Sequence, residues 1–549
     1  MIYKQYRSLL IFLIITLLVG PLWTTAAQDG TPETDAPIRI WVDWSLPLDF
    51  EAMLQPLVDT DDYEIELNRV NADLAVTVTN GSGAITSRWV YVPVLPFASL
   101  AENVSYLDIQ RYWNGDNAAL SGLSPDGEPV KLIVTRNTLE AMKSFMGEPA
   151  EETAFQIVPE GALVTQLWEQ RPHAWSLVAF NDLRPALKAL SLDHQSVFSD
   201  DLDLENYPFI LDVGIEGENW AVGQAIDDLL AAGTWQGINR DPRRMSRIVL
   251  SGVTALTRAT AYYMENNGIT SPGDGILPFV EDADVFHTSN EVPFSVQCPY
   301  PDPYSGTIFC ADDRYLELLT HIGLDVVELT GNHINDYGPG ALKHTLDLYD
   351  AAGIEYFGGG RTPEEARAAL ILEHNDNQIA FIGCNMPGPF KAWVSDERPG
   401  AAQCDDTYLE QELTRLSETV DVVIMTVQDY EYYRYDPPNA QVTRFTNYAN
   451  WGADVVIGSQ AHQPQGFGFV SREDQPQAFL HHGLGNLFFD QMAQIGTRQM
   501  FLDRLIVYDG QVIAVELFTG LIEDYCCPRP MTEAERAEFL NTIFAASEW

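Results

Sequence analysis

The chain is poor in positive charge. It carries 31 Lys and Arg residues against 79 Asp and Glu residues, which gives 549 residues a formal net charge of -48. Proteins that bind nucleic acid or anionic lipid need clusters of Lys and Arg to neutralise phosphate. The deficit therefore argues against nucleic acid as a partner. Hydrophobic residues still make up 46% of the chain, enough for large cores, so a disordered acidic protein is not expected either.

Long apolar runs are missing after the first 27 residues. Those residues contain Lys4 and Arg7 but no acid, then the apolar run 9–18, and then Thr25-Ala26-Ala27. This order is typical of a secretory signal peptide at residues 1–27, and an uncleaved anchor is the alternative that the short run disfavours. We predict cleavage after Ala27 and an exported protein, extracellular, periplasmic or in the cell envelope. No transmembrane segment is expected after removal of the signal.

Cysteine is scarce. The six cysteines form no CxxC pair and no Cys/His cluster with zinc-finger spacing, which argues against a structural zinc site. An even number of cysteines in an exported protein indicates disulfides. We predict the pairs Cys298–Cys310 and Cys384–Cys404, because each closes a local loop. The adjacent Cys526 and Cys527 either bond to each other or stay reduced, and both alternatives stay open.

The first half of the mature chain has the pattern of a smaller α/β domain at residues 36–233. Apolar, strand-like runs alternate there with predicted helices at 138–146 and 183–190. A stretch at 234–246 interrupts this pattern and is locally basic, together with the residue that follows it. The arginines are Arg240, Arg243, Arg244 and Arg247. We interpret the stretch as a solvated linker, with an anion-binding patch as the alternative.

The second half, residues 247–525, shows repeated strand and helix segments and is followed by a predicted C-terminal tail at 526–549. The repetition indicates a layered α/β domain in which loops after the strands form any site. Polar residues gather at these strand ends. They are Asn290-Glu291, Gly331-Asn332-His333, Gln428-Asp429-Tyr430-Glu431 and Gly458-Ser459-Gln460-Ala461-His462. Asn and His on such turns are typical ligands in metal-dependent hydrolases.

The order of these motifs makes the second half similar to a known family. The matching segments are Thr330–Gly338, Ala352–Ile354 with Gly358–Gly360, Gly452–Gly458 with His462, and Gly483–Phe488. The chain from residue 247 to about 520 resembles the bacterial capsule synthesis (CapA-type) family, which is associated with poly-γ-glutamate biosynthesis. That family is similar to calcineurin-like metallophosphoesterases. The resemblance implies a four-layer αββα sandwich, preceded here by the smaller domain, with a metal-type site at the strand ends.

Three positions depart from the family pattern. The family's first strand ends in Gly-Asp, whereas Gly252 here precedes Val253. Two expected histidines are replaced by Gln428 and Gln460. Valine offers no oxygen to a metal, and neutral glutamine binds more weakly than imidazole. Two-metal hydrolysis needs several anionic or imidazole ligands, so we expect one divalent ion (Mn, Zn or Mg) or none.

The resemblance assigns roles to the remaining motif residues. The implied metal ligands are Glu291, Asn332, His333 and His462. The implied catalytic residues are His333, Glu431 and Arg258, with Glu431 as the acid or base. The implied substrate-binding residues are Gln428, Gln460 and Asn486. Each ligand has a structural alternative, such as bracing a turn or satisfying buried backbone donors. His481-His482 is either a source of a replacement ligand or structural.

The first half resembles part of a phosphate-type periplasmic solute-binding domain. The similarity rests on Val90–Phe97, Val104–Ile109 and Tyr112–Gly115. In such a domain the turn Val134–Thr138 would enter a helix whose free N–H groups can hold an anion. The tryptophans of this half are expected in the core rather than against a ligand. They include Trp41, Trp44, Trp89 and Trp113.

These expectations favour an exported two-domain protein that makes, releases or handles an anionic polymer or glycan at the cell envelope. The sequence leaves open whether it is a hydrolase or transferase with a depleted metal site. The rival hypothesis is a non-catalytic binding or scaffold protein that keeps the fold. A third hypothesis is a solute receptor whose second domain is structural.

Overall fold

The computed structural model describes residues 36–79, 85–473 and 475–549. The predicted signal peptide at 1–27 lies outside the described residues. In the first half the strands are β1 (Ile38–Val42), β2 (Tyr63–Ile65), β3 (Leu74–Val78), β4 (Ile85–Pro96), β5 (Asn103–Val104), β6 (Lys131–Val134), β7 (Phe155–Ile157), β8 (Ala174–Ala179), β9 (Leu187–Ala189), β10 (Ser191–Leu192) and β11 (Ile210–Gly217). Its helices are α1 (Asp49–Val58), α2 (Tyr106–Trp113), α3 (Arg136–Met146), α4 (Leu163–Glu169) and α5 (Asn219–Ala232).

The first half is built on one mixed sheet in the order β2-β1-β3-β11-β4-β8-β6-β7, with β9 paired to β4. Helix α3 begins where the Thr135 side chain accepts a hydrogen bond from the backbone N–H of Thr138, the usual N-cap arrangement. Trp89 and Trp113 lie in the core, as expected. Trp44 does not, because 59% of its surface is exposed.

The predicted helix at 183–190 is wrong. The structure places strand β9 there, paired antiparallel with β4 so that Ala189 lies opposite Val94. Pro185 explains the difference, because proline disfavours helical backbone at the residue before it and removes a helix hydrogen bond. The apolar spacing that indicated a helix serves instead to bury Leu187 and Leu190.

The stretch predicted as a solvated linker is partly buried. Arg240 is 1% exposed and donates from Nε to the carbonyl of Val197 at 2.6 Å. Arg247 is also buried and donates to the carbonyl of Phe198 at 2.8 Å and to Asp200 at 2.5 Å. The guanidinium groups of both arginines donate hydrogen bonds to these carbonyls. Burying the two arginines therefore costs less free energy than burying an unpaired charge would. The hydrogen-bond partners of the two arginines are distant from them in sequence, so the sequence alone does not identify these partners.

In the second half the strands are β12 (Met245–Thr254), β13 (Val285–Asn290), β14 (Val326–Glu328), β15 (Glu355–Phe357), β16 (Gly359–Gly360), β17 (Leu370–His374), β18 (Asn377–Asn385), β19 (Gly400–Ala401), β20 (Val422–Gln428), β21 (Val455–Gly458), β22 (Phe467–Arg472), β23 (Gln475–His481), β24 (Asn486–Phe488), β25 (Gln499–Tyr508), β26 (Gln511–Glu523) and β27 (Cys527–Pro530). The helices are α6 (Arg258–Asn267), α7 (Leu277–Val280), α8 (Leu316–His321), α9 (Pro339–Ala352), α10 (Pro363–Arg367), α11 (Asp406–Ser417), α12 (Asn439–Asn450) and α13 (Glu533–Ala545).

Two sheets form the centre of the second half. One has the order β15-β14-β13-β12-β25-β26-β27, with β24 added to β12, and the other has the order β17-β18-β20-β21-β23-β22. Leu250 of the first sheet shares a core with Phe381 and Ile424 of the second. Its neighbour Val249 points to the opposite face, as alternation along a strand requires, and packs with helix residues such as Leu346.

Helices cover both outer faces of this pair of sheets. Helices α6, α8 and α9 contribute to the core on one side, and α11 and α12 contribute to the core on the other. The result is the four-layer αββα arrangement that was predicted. Residues 526–549, set apart as a tail from the sequence, add β27 to the first sheet and supply helix α13.

The two halves share a core. Met245, Ile506, Tyr508 and Ile513 of the second half are buried in the same apolar cluster as the first-half sheet. The ring centroids of Tyr508 and Phe180 lie 5.0 Å apart, and the Tyr508 hydroxyl donates to the carbonyl of Asn239 at 3.0 Å. The segment between the halves is therefore packed on both sides.

The two predicted disulfides, Cys298–Cys310 and Cys384–Cys404, are both present. Cys526 and Cys527 are bonded to each other, which resolves the alternative left open by the sequence. Within the described ranges, no helix combines the length and apolar character needed to cross a membrane.

Candidate functional site

The candidate site lies where parallel strands of both sheets end. Strands β13 and β14 run parallel in the first sheet, and β20 and β21 run parallel in the second. The residues that follow these four strands are those singled out from the sequence, because the carboxyl ends of parallel strands meet at one edge of a sheet. The loops after β13 and β14 carry Glu291 and His333, and the loop after β21 carries His462.

Glu291 is buried and lacks hydrogen-bond donors in the described part of the chain. It is 1% exposed, and neither carboxylate oxygen has a hydrogen-bond partner in the described part of the chain. Burial raises its pKa, while His462 and His333 nearby act in the opposite direction. A methyl group on Gly331 would lie 2.4 Å from the α-carbon of Glu291. Glycine at 331 is thus required for the two loops to approach each other.

His333 is oriented by an acid. Its Nδ1 lies 2.6 Å from Oδ2 of Asp336, and Lys391 donates to the other oxygen of that carboxylate at 2.6 Å. Burial disfavours the charged imidazole, but the hydrogen bond to Asp336 and the nearby Glu291 outweigh it and raise the pKa of His333. Its ring also packs on Phe309, with centroids 4.3 Å apart. Nε2 remains for a reacting group.

His462 is fixed by Asn486. Nδ1 of His462 lies 2.8 Å from Oδ1 of Asn486, and the amide of Asn486 donates to the carbonyls of His462 and Thr497. Asn486 is fully buried and all of its side-chain polar atoms are used. It was expected to bind substrate, and the structure places it behind His462 instead. A fixed Nδ1 partner with a free Nε2 is the arrangement that metal-binding histidines show.

Amide side chains occupy the other positions. Oδ1 of Asn332 and Oε1 of Gln460 are buried, and neither finds a donor among the described residues. Gln460 donates from Nε2 to Glu431 at 3.2 Å. Gln428 is also buried, and its Nε2 meets no acceptor in the ranges described. Gln460 therefore contacts Glu431, whereas the side chain of Gln428 makes no hydrogen bond to the other candidate residues in the described ranges.

Glu431 and Arg258 flank these residues. Glu431 is exposed and accepts a hydrogen bond from the Tyr433 hydroxyl at 2.9 Å. Arg258 pairs with Asp490 and lies over the ring of Phe309, 4.7 Å from its centroid. Arg258 is thus next to the ring that supports His333, but its charge is already neutralised.

An open cleft of about 540 Å³ adjoins the site and brings Arg258, Asp490 and Tyr433 to one surface. Tyr433 also stacks over His462, with ring centroids 6.4 Å apart. Sequence reasoning gave no role to Tyr433 or Asp336. Asp336 could have been found from its spacing, because an acid three residues after His333 can reach back to the imidazole within one turn.

Val253, which stands where the family has an acidic residue, offers no side-chain oxygen to a metal. Val253 is a buried strand residue, and its backbone N–H donates to the carbonyl of Gly485 at 3.0 Å. His481 is paired with Asp503 at 2.5 Å between the sheets. His482 faces Gly466 and has a pKa lowered to about 4 by burial. Nδ1 of each histidine is thus occupied, and Nε2 of each meets no partner in the described ranges. A structural role for this pair stays a prediction.

The residues present fit two metal ions poorly and one ion better. In the described ranges, no group of three or more His, Cys, Asp or Glu side chains is arranged so that it could hold a metal. The site does offer buried oxygens that lack donors, on Glu291, Asn332 and Gln460, beside the Nε2 of His462. Hard divalent cations prefer oxygen ligands of this kind. A single ion would have to use amide oxygens as well as Glu291 and His462.

The first half has its own cleft, of about 550 Å³, beside the start of α3. Arg136 and Asn137 line it, as the predicted anion-binding turn requires, and so do Trp41 and the exposed Trp44. Acidic side chains line it too. They are Asp43, Glu51 and Glu66. These carboxylates oppose the binding of a free anion at the helix start.

Comparison with known proteins finds relatives for the second half. Residues 247–491 match the family model "Bacterial capsule synthesis protein PGA_cap", which confirms the resemblance predicted from the motifs. The chain is 22% identical over 265 residues to "Capsule biosynthesis protein CapA" of Bacillus anthracis, and 22% identical over 272 residues to "PGA biosynthesis protein CapA" of Bacillus subtilis (strain 168). The matches cover 47% and 48% of this chain, and 63% and 70% of those relatives.

Solved structures match parts of the chain at low overall similarity. A 5'-nucleotidase precursor from Thermus thermophilus matches with a TM-score of 0.33 and 14% identity, covering 54% of this chain and 58% of that one. An ABC-type phosphate transport receptor from Vibrio cholerae matches with a TM-score of 0.30 and 14% identity, covering 35% of this chain and 92% of that one.

Proposed function

We propose that this chain is an exported protein that handles an anionic polymer or glycan of the cell envelope, and that the site in its second half binds one divalent cation. The similarity to the CapA relatives supports the polymer. The proposal assigns solute binding to residues 36–233 and polymer handling to residues 247–525, with 234–246 joining them and 526–549 completing the second unit.

One observation carries the cation site. Both oxygens of Glu291 are buried without a hydrogen-bond donor among the described residues, although buried polar groups in folded proteins almost always have partners. Oδ1 of Asn332 and Oε1 of Gln460 share this condition. Buried oxygen acceptors that lack hydrogen-bond donors are suitable ligands for a cation, because hard divalent cations prefer oxygen ligands.

A bound cation would also reduce the electrostatic repulsion between this acidic chain and an anionic polymer. A chain with a net charge of -48 repels an anionic polymer, and Arg258 beside the cleft is already paired with Asp490. A divalent ion held by Glu291, Asn332, Gln460 and His462 would supply local positive charge and polarise a phosphoryl or carbonyl oxygen of the polymer.

The chain's own residues supply proton transfer. Nδ1 of His333 lies 2.6 Å from Asp336, and this contact and the nearby Glu291 raise the pKa of His333. We assign His333 the role of general acid, because Asp336 orients its ring and its Nε2 can donate a proton. Its Nε2 donates a proton to the leaving group. Glu431, held by Gln460 and Tyr433, accepts a proton from the attacking water or hydroxyl.

Titration of metal-stripped protein with Mn²⁺, followed by electron paramagnetic resonance, tests this proposal. We expect about one ion per chain. His462→Ala should weaken the affinity at least about 10-fold, because losing even a residue that only orients a metal ligand costs about 10- to 100-fold. His344→Ala is the matched control, because His344 is paired with Asp313 elsewhere on the surface. If Mn²⁺, Zn²⁺ and Mg²⁺ all fail to bind, the cation site is wrong.

Activity separates catalysis from binding. With phosphoesters and γ-glutamyl peptides as substrates, His333→Ala should lower turnover about 10²- to 10⁴-fold, the usual contribution of a general acid. The second candidate function, a non-catalytic polymer-binding scaffold, is favoured by Val253 in place of an acidic ligand. It predicts that Mn²⁺ and polymer bind while no substrate is turned over.

A further inference from the structure

A second buried carboxylate lies beneath the candidate site. Glu328 is the last residue of β14 and is fully buried. Its Oε1 accepts hydrogen bonds from two hydroxyls, those of Thr330 and Ser459, the latter at 2.8 Å. Sequence reasoning gave Glu328 no role, because it is the end of an apolar strand-like run.

The two hydroxyls belong to different sheets. Thr330 begins the loop that continues through Asn332 to His333 after a strand of the first sheet. Ser459 begins the loop that continues through Gln460 to His462 after a strand of the second sheet. One oxygen of Glu328 thus joins the starts of the two loops that carry the site.

The rest of the surroundings keep Glu328 in place. Asn385, at the end of β18, donates to the carbonyl of Thr330 at 2.7 Å and ties the first loop to the second sheet again. Oε2 of Glu328 lies 3.6 Å from Nε2 of His287. His287 is itself fully buried, with its ring 5.7 Å from that of Phe357. The carboxylate therefore has little freedom to rotate away from the two hydroxyls.

Burying a carboxylate between two sheets carries a desolvation penalty. Replacing a whole buried ionic network by apolar residues of similar volume is often neutral or stabilising, whereas removing one partner is destabilising. The presence of such a network is therefore better explained by the geometry that it specifies than by stability. We propose that Glu328 is a positioning residue, which fixes the spacing between the Asn332–His333 loop and the Gln460–His462 loop. This inference rests on the proposed cation site, whose ligands are divided between those two loops.

The test uses the full mature chain and two readouts. Mn²⁺ affinity reports on the assembled site, and hydrogen–deuterium exchange of the metal-free protein reports on the two loops without any metal. We expect Glu328→Ala to weaken Mn²⁺ binding about 10- to 100-fold, the range found for partners that orient metal ligands. It should also speed exchange in segments 329–336 and 458–465. Glu328→Gln keeps an acceptor oxygen for both hydroxyls and should restore most of the affinity and protection.

Asp503→Ala is the matched control. Asp503 is another fully buried carboxylate between the same sheets, but it binds His481 and neither site loop. We expect this variant to lose stability while keeping Mn²⁺ affinity and loop protection. If Glu328→Ala does not fold, the double variant Thr330→Val/Ser459→Ala removes the same two hydrogen bonds from the donor side and should give the same result.

The outcomes distinguish the two proposals. Wild-type affinity and unchanged exchange in Glu328→Ala, or in the double variant, would overturn the positioning role. Equal loss of Mn²⁺ affinity in Asp503→Ala would overturn it as well, since general destabilisation would then explain the effect. If the wild-type chain binds no Mn²⁺, the cation site fails. Faster exchange confined to the two loops would still support Glu328 as their common anchor, and unchanged exchange would reject it.

Discussion

Glu291 should make the metal-free protein less stable than it could be. Both of its oxygens are buried, and each lacks a donor within the described chain. A buried polar group left without a hydrogen bond costs about 1–3 kcal/mol. Replacing Glu291 by methionine, which has a similar length and no oxygen, should therefore raise the free energy of unfolding of the metal-free protein by about 1–3 kcal/mol.

The measurement is denaturant unfolding in the presence of a chelator, repeated with Mn²⁺ at 100 times its dissociation constant. Mn²⁺ should stabilise the wild-type chain by about 2.7 kcal/mol under that condition and should have no effect on Glu291→Met. Glu328→Met is the informative comparison, because the carboxylate of Glu328 accepts two hydrogen bonds. That variant should be destabilised.

Two results would refute the reasoning. If, without metal, Glu291→Met has a lower free energy of unfolding than the wild-type chain, Glu291 stabilises the metal-free fold. Its burial would then not be a destabilising feature that a bound ion offsets. If Mn²⁺ stabilises Glu291→Met as much as the wild-type chain, the ion binds elsewhere.

Two further predictions concern stability. His482 has a pKa of about 4 in the fold, below its ordinary value of about 6.5, so its contribution is present above pH 6.5 and is lost as the pH falls toward 4. Between pH 7 and pH 4, the free energy of unfolding should fall by about 3 kcal/mol less in His482→Phe than in the wild-type chain. An identical pH dependence of the two proteins would contradict this prediction. The Cys384–Cys404 disulfide closes a loop with a sequence separation of 20, so Cys384→Ala/Cys404→Ala should cost about 3 kcal/mol. Cys526→Ala/Cys527→Ala, with a separation of 1, should cost about 1 kcal/mol in the same unfolding assay.

Local patterns in the sequence predicted the layers and two of the disulfides. Alternating strand-like and helix-like segments were enough to indicate a layered α/β domain, the motif resemblance specified the αββα sandwich, and short cysteine spacings were enough to pair Cys298 with Cys310. The helix expected at 183–190 failed because its apolar spacing ignored the restriction that Pro185 places on the backbone. Apolar spacing alone does not distinguish a short helix from a buried strand.

The sequence indicated residues that the structure brings close together, but it did not indicate the contacts that surround them. Glu291, His333 and His462 were singled out because each follows a strand, and the carboxyl ends of parallel strands meet at one edge of their sheet. Asn486 was expected to meet substrate, yet it faces His462 and Thr497. Contacts such as those of Asn486 with His462 and Thr497 depend on how strands that are distant in sequence are placed in space. Residue spacing along the chain does not predict that placement.

The shared core between the halves has a practical consequence. A chain begun at residue 247 would lose Met245 and the Asn239 carbonyl that Tyr508 contacts, and would leave Ile506 and Ile513 facing water. Exposed apolar patches of this kind promote association with other molecules. The second half is therefore best produced together with the first.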